Sequence, residues 1–274
     1  MRLLVIIVLS LLASTMPLHA QTTLPRIVGH RGLMRSAPEN TLAGFAACAH
    51  LRFGIEVDVR RTKDGVLVVV HDADVSRTTN GTGKVRDLTL AELRKLDAGR
   101  WFSPAFAGER VPTLEEVFIL IKTLGIDVLI ALDIKEDDET MAGNIVQLAE
   151  KHGVLAQCVC IGLAISDPKL RARLKAASAK MPVAVLANQR SELASALSAK
   201  EADWICVRFI PTADEVKAIH AQKKRVFLVG PLVAGHEPAN WQKAREAGVD
   251  AILTDYPVQC LESWRSKDTL APRP

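Results

Sequence analysis

The chain has 274 residues, a formal charge of +4 and 49% hydrophobic content. Lysines and arginines are interleaved with acidic residues, so there is no basic stripe and nucleic-acid binding is excluded as the function class. The length supports a substantial core and suits a single domain of about 250 residues.

The first twenty residues do not read as part of that domain. Met1-Arg2 is a short basic start, residues 3–12 form an apolar run broken only by Ser10, and Leu18-His19-Ala20 ends on a small residue. This is the pattern of a secretory signal peptide, residues 1–20, cleaved after Ala20. An uncleaved anchor is the rival. The apolar run is short for a span of about 20 residues, however, and Pro17 follows it. The expected product is periplasmic or secreted, comprises residues 21–274 and has no stable membrane span.

Short apolar strands then alternate with helical patterns. A strand at 27–30 is followed by a helix at about 41–51, with Thr41 as N-cap and Gly54 as stop. A second strand (55–59), a Lys63-Asp64-Gly65 turn and a third strand (66–70) come next. Residues 72–111 break the alternation. They hold a short helical piece at 90–96 and a Trp101-Phe102-Ser103-Pro104 turn, too long for an ordinary connection and too apolar for a linker. They read as an insertion capping one end of the domain, with Trp101, Phe102 and Phe106 expected in the core of that cap.

Regular alternation resumes with a helix from near Thr113, where Thr-Leu-Glu-Glu supplies a cap and an acidic first turn. Strands are predicted at 128–134, 158–163, 183–186, 204–209, 226–229 and 251–254. Helices are predicted at 141–152, 168–179, 192–200, 213–223 and 239–247, and residues 268–274 are expected to be a loose tail. The strands are near-continuous runs of Val, Ile and Leu, as in a parallel sheet buried on both faces. Nine strands are one too many for an eight-stranded barrel. Only about six residues separate the second from the third, and a parallel crossover needs about a dozen. Those two must form an antiparallel hairpin. The expected fold is therefore an α/β protein, a (β/α)8 TIM barrel with a β-hairpin and a capping insertion (about 72–111) after strand 2. Cys158 and Cys160 share a strand face and are badly placed to bridge each other. Buried free thiols are the favoured reading of all five cysteines, although an oxidising compartment would allow one disulfide.

The chemistry concentrates at strand ends. Glu56 and Asp58 lie two apart on one strand and share a face. If the hairpin turns near Lys63-Asp64, Glu56 falls opposite His71 to within a residue or two, which puts two carboxylates and an imidazole in one cluster. His30 ends the first strand, and Asp133 and Lys135 end the one at 128–134, so all converge on the carboxyl rim where such barrels carry their sites. Clustered carboxylates repel unless a cation neutralises them, and oxygen ligands select Mg²⁺ or Ca²⁺ over Zn²⁺. Salt bridges to Arg60, Arg61 or Lys135 are the alternative for Glu56 and Asp58. Two histidines suit general acid–base work near neutral pH, and Arg31 and Lys135 supply positive charge for a phosphate.

In order along the chain stand His30-Arg31-Gly32, Pro38-Glu39-Asn40-Thr41, Glu56-Val57-Asp58-Val59, Thr62-Lys63-Asp64-Gly65 and Val68-Val69-Val70-His71-Asp72. Arg77-Thr78-Thr79-Asn80-Gly81-Thr82-Gly83, Val111-Pro112-Thr113-Leu114-Glu115-Glu116, Leu132-Asp133-Ile134-Lys135 and, after Gly248-Val249-Asp250, Thr254-Asp255-Tyr256-Pro257 continue the set. Together these resemble the glycerophosphodiester phosphodiesterase family. The resemblance implies a metal-dependent hydrolase that cleaves glycerophosphodiesters to sn-glycerol 3-phosphate and an alcohol. It implies Glu56, Asp58 and Asp133 as holders of a divalent cation, Ca²⁺ or Mg²⁺, and His30 and His71 as the acid–base pair. It further implies Arg31 and Lys135 as phosphate-binding, and Glu39 and Asn40 as supporting residues. Asp133 departs from the family's usual glutamate, and Ile161-Gly162-Leu163-Ala164 and Phe227-Leu228-Val229-Gly230-Pro231 depart from its pattern in the substrate wall. A relative acting on lysophospholipids or sphingolipids with a cyclic phosphate product is the second reading, and a non-catalytic phosphoester-binding barrel the third. Oligomeric state is left open.

Overall fold

The computed structural model describes residues 24–268; the expected signal peptide and all of the expected tail except Asp268 lie outside them. The chain runs through β1 (Arg26–Gly29), α1 (Leu42–His50), β2 (Gly54–Arg61) and β3 (Leu67–Val69). Next come α2 (Leu90–Leu93), α3 (Leu114–Leu124), β4 (Ile130–Ile134), α4 (Met141–Lys151) and β5 (Cys158–Gly162). They are followed by α5 (Leu163–Ser166), α6 (Pro168–Ala177), β6 (Ala184–Ala187), α7 (Leu193–Ser198) and β7 (Trp204–Val207). The last are α8 (Ala213–Ala221), β8 (Arg225–Leu228), α9 (Pro231–Ala234), α10 (Pro238–Ala247), β9 (Ala251–Thr254) and α11 (Pro257–Asp268).

Eight of the strands are parallel, in the order β5-β4-β2-β1-β9-β8-β7-β6. A parallel bridge between Cys160 and Val183, with Cys160 N donating to Pro182 O at 3.0 Å, joins β5 to the start of β6 and closes the barrel. Period-two alternation sorts the side chains. Ile55, Val57, Ile130, Leu132 and Ile205 face the helices and belong to the larger core. Val28, Leu129, Ala131, Val159, Trp204 and Phe227 fill the barrel interior. The same inward parity carries Glu56, Asp58 and Asp133 to the carboxyl end of that interior.

Within the sheet β3 pairs with β2, antiparallel, as the short connection requires, and its outer side is bridged by Val68 to Thr113. Its register falls within a residue of the expected one. Val59 faces Val69, and Val70 N donates to Asp58 O at 3.0 Å, one residue away from the register that would set Glu56 opposite His71. The cause is the loop. Thr62 N bonds Val66 O at 2.9 Å, which makes Lys63-Asp64-Gly65 a three-residue loop with Gly65 at φ +86°, one residue more than a tight two-residue turn.

The insertion packs onto the hairpin through its own apolar cluster, in which Val68 and Val70 meet Val75, Val85, Leu93, Ala98 and Val111. Trp101, Phe102 and Phe106 are not in that cluster, contrary to expectation. They stack edge-to-face on one another, with Trp101 41% exposed and the two phenylalanines half-buried. The branched aliphatics already fill the space over β3. Three helices had no clear sequence signal. α5 and α9 are single turns that follow Gly162 and Gly230, and α11 has few apolar residues, yet it buries Cys260 and Trp264. The indole N–H of Trp264 donates to the Trp241 carbonyl at 3.0 Å. All five cysteines are buried free thiols. Among the described residues no helix is long and apolar enough to cross a membrane.

Candidate active site

Parallel register makes the acidic cluster. Glu56 lies beside Ala131 and Asp58 beside Asp133, so two strands each push a carboxylate into the same end of the barrel. One carboxylate oxygen from each of Glu56, Asp58 and Asp133 lies within 4.8 Å of the others. Glu56 and Asp58 are buried. Burial, then the neighbouring negative charges of Asp58 and Asp133, push the Glu56 carboxyl well above the ordinary value of 4.5. Asp58 shifts the other way. Burial pushes it up, but Lys135, Asn40 and Arg31 together outweigh burial and hold it below its ordinary value.

The salt-bridge alternative is realised in part. Lys135 Nζ sits 2.9 Å from Asp58 Oδ1 and 2.8 Å from Asp133 Oδ2, whereas Arg60 pairs with Glu136 and Arg61 with Asp138. Burial disfavours the Lys135 ammonium, yet Asp58 and Asp133 more than compensate and raise its pKa. One lysine does not satisfy three carboxylates. Glu56 Oε1 and Asp133 Oδ1 are buried without a hydrogen-bond donor, and Asp58 Oδ1 has only the Lys135 ammonium. Buried carboxylate oxygens left without donors are costly, and one oxygen from each of three converging acids is the donor set of a hard cation. The residues fit a divalent ion.

The loop after β1 braces this cluster. Arg31 (φ +55°) and Asn40 (φ +56°) both adopt the left-handed region that non-glycine residues rarely occupy. The twist lets Arg31 N donate to Glu56 Oε2 at 2.7 Å, and Asn40 N donates to Arg31 O at 3.0 Å. Asn40 clamps Asp58 from both sides: its Nδ2 donates to Oδ2 at 2.6 Å, and its Oδ1 accepts from Asp58 N at 3.3 Å. Glu39 is drawn to two guanidiniums, with Arg31 Nη1 at 3.0 Å and Arg77 Nη2 at 2.8 Å. Burial raises the Glu39 carboxyl, but these arginines lower it further than burial raises it. Asp133 is accommodated from the neighbouring strand. Gly162 (φ +68°) has no side chain, and a Cβ there would lie 2.1 Å from Asp133 Oδ1. The same Cβ would lie 2.6 Å from Ile134 N, so backbone approach as well as the Asp133 carboxylate requires glycine at the end of β5.

Both histidines are held in the same way. His30 Nδ1 is 2.7 Å from Asp255 Oδ1, and His71 Nδ1 is 2.7 Å from Asp72 Oδ1. A carboxylate oxygen accepts, so Nδ1 carries the proton and Nε2 is the basic nitrogen of each neutral ring. Asp72 is held far below the usual carboxylate range by the Arg77 guanidinium, with the His71 hydrogen bond adding to it. Arg77 also grips Glu39, so an unbroken set of contacts runs His71–Asp72–Arg77–Glu39–Arg31–Asp58. It ties the hairpin and insertion to the metal-type cluster. Sequence reasoning named neither Asp72, Asp255 nor Arg77 as functional, although each lies in a motif it quoted. An acid next to or opposite a strand-end histidine was the signal available.

Asp255→Asn tests this orientation. The amide no longer fixes Nδ1 as donor, so kcat should fall about 10–100-fold, the range for groups that orient a functional imidazole. KM should stay close to its original value while the pH profile of kcat shifts. An unchanged profile and rate would remove Asp255 from the site.

Residues 30–259 match the model of the glycerophosphoryl diester phosphodiesterase family. A glycerophosphodiester phosphodiesterase of Caldanaerobacter subterraneus subsp. tengcongensis is 54% identical over 110 residues, 40% of this chain and 44% of that protein's length. The glycerophosphodiester phosphodiesterase of Bacillus subtilis is 30% identical over 248 residues, 84% of this chain and 83% of its own. A phosphodiesterase of Oleispira antarctica, solved with the product sn-glycerol-3-phosphate, superposes with TM-score 0.72 at 25% identity, covering 88% of this chain and 97% of that one. With a family model spanning most of its length, a full-length relative and the same barrel, the chain belongs to the glycerophosphoryl diester phosphodiesterase family.

Proposed function

We propose that this protein hydrolyses glycerophosphodiesters to sn-glycerol 3-phosphate and an alcohol. The observation that carries the reading is the pairing of three converging carboxylates, two of them buried, with two histidines whose Nδ1 atoms are each fixed by an aspartate. Glu56, Asp58 and Asp133 would hold a divalent cation, Ca²⁺ or Mg²⁺, which when bound supplies Lewis-acid charge to phosphate oxygens. The protein's own groups do the rest. The Arg31 guanidinium and the Lys135 ammonium offset negative charge on the phosphate. Nε2 of one neutral histidine takes a proton from the attacking water, and the other histidine, acting as the imidazolium, gives its Nε2 proton to the departing alkoxide and returns to the neutral Nδ1–H form. Asp72 and Asp255 keep those rings in the reactive tautomer, while Glu39 and Asn40 hold Arg31 and Asp58 in place. Residues 1–20 act as a cleaved signal peptide in this reading, and residues 21–274 work in the periplasm or outside the cell.

The exposed Trp101 beside Phe102 and Phe106 favours a second reading, cleavage of a lysolipid with ring closure to a cyclic phosphate. One assay separates the two. Incubation with glycerophosphodiesters and lysolipids, with both products identified, should release glycerol 3-phosphate. A cyclic phosphate supports the second reading, and no release from any diester overturns both.

A further inference from the structure

A cavity of about 350 Å³ opens beside the acidic cluster at the mouth of the barrel. Asp133 and Lys135 form one side of it, and Arg208, just past the end of β7, forms another. Between them the walls are mostly aliphatic, with Ile161, Val229 and Leu253 among the lining residues. The Arg208 stem lies over Gly230, whose missing side chain leaves room for it; a Cβ there would come 3.3 Å from Arg208 Cγ. Its Nη1 reaches Asn188 Oδ1 at the end of β6, at 3.4 Å. Neither residue belongs to the reaction centre described above.

Arg208 differs from the arginines of that centre. Arg31 and Arg77 are committed to carboxylates, whereas Arg208 makes no ion pair among the described residues. Among the described lining residues Arg208 thus stands outside any ion pair, while Asp133 shares one carboxylate oxygen with Lys135. Among the described residues no aromatic ring lines it, and a quaternary ammonium group depends on aromatic faces or a free carboxylate. The planar fork of N–H donors that Arg208 brings to this mostly aliphatic lining instead matches a phosphate or carboxylate, which such a fork binds by charge-assisted, bidentate hydrogen bonds.

We propose that Arg208 is a specificity-determining residue, and that it selects glycerophosphodiesters in which the organic group entering this cavity carries a second anionic group. The inference rests on the hydrolase reading above and adds the substrate class to it. A cationic head group such as choline meets the like charge of Arg208 there, which stands outside any ion pair among the described residues.

The test compares kcat/KM for glycerophosphoglycerol, its terminal phosphate monoester and glycerophosphocholine, in the full chain and in the variants Arg208→Ala, Arg208→Lys and Arg208→Glu. The original enzyme should prefer the phosphorylated substrate over glycerophosphoglycerol by about tenfold or more, the scale of one charge-assisted hydrogen bond. That ratio should collapse to near one in Arg208→Ala, be partly kept in Arg208→Lys and fall below one in Arg208→Glu, where glycerophosphocholine should in turn be preferred over the phosphorylated substrate. Matching melting temperatures exclude misfolding as the cause. Equal losses on all three substrates would place Arg208 on the scissile phosphate and overturn the proposal, as would ratios that do not move. Hydrolysis with unmoved ratios leaves the hydrolase reading standing, whereas an original chain that cleaves none of the three removes that reading and this inference together.

Discussion

Exhaustive chelation is expected to reduce turnover to below about 1%, because the cation's charge on the phosphate is a large part of the barrier reduction in such sites. Added Ca²⁺ or Mg²⁺ should restore it. The physical reason lies in the cluster itself. Burial and two neighbouring carboxylates raise the Glu56 carboxyl well above 4.5, so without a cation a proton does part of the neutralising. A carboxyl raised in the folded state binds more protons folded than unfolded. Its stabilising contribution is therefore complete below about pH 4.5 and is lost as the pH climbs through the raised value. A bound cation takes over from that proton, so the gain in melting temperature on adding metal should grow as pH rises across that window. At a hundredfold excess over Kd the gain is about 2.7 kcal/mol. For a chain of this size that corresponds to about 5–10 °C. Glu56→Gln and Asp58→Asn should lose most of this response. Calorimetry with and without chelator checks it. Activity that survives chelation, or melting temperatures indifferent to metal at every pH, would end the assignment.

The second large effect is at the histidines. His71→Ala and His30→Ala should each lower kcat by about 10²–10⁴-fold, the contribution of a positioned general acid or base. The loss should be chemical rather than structural. The His71 carbonyl is held by Arg60 Nε and Nη2 at 2.9 and 2.8 Å, a contact that truncation of the side chain leaves intact. Both rings are tied to an aspartate in the same way, so their environments do not distinguish acid from base. A glycerophosphodiester with a nitrophenolate leaving group does so, because that anion departs without protonation. The variant lacking the acid should recover most of its rate on this substrate, and the variant lacking the base should not. A purified His71→Ala enzyme with undiminished turnover would take His71 out of the mechanism.

Local pattern was enough for the barrel because its information is local. A two-residue period places Glu56 and Asp58 on one face and Asp133 and Lys135 on one face, and a connection too short for a crossover makes β3 antiparallel. Buried thiols at Cys158 and Cys160 follow from the same periodicity. The hairpin register followed only to within a residue, since a third loop residue at Gly65 shifts every partner by one without altering the strands' composition. The aromatic residues of the insertion also went the other way, because which apolar groups cover β3 depends on chain path rather than on hydrophobicity.

By itself, then, the amino-acid sequence determined an eight-stranded parallel barrel with a side hairpin, and a set of acids, histidines and cations at its carboxyl rim. Period, strand length and connection length encode these directly. Only the tertiary structure decided the partners. Asp255 reaches His30 across 225 residues of sequence, and Asp133 stands beside Asp58 because β2 and β4 pair across the intervening hairpin and insertion. It is likewise only barrel closure that brings Arg208, from the end of β7, to the same cavity as Lys135. Such contacts are set by register and closure, which are properties of the whole sheet and of no single segment.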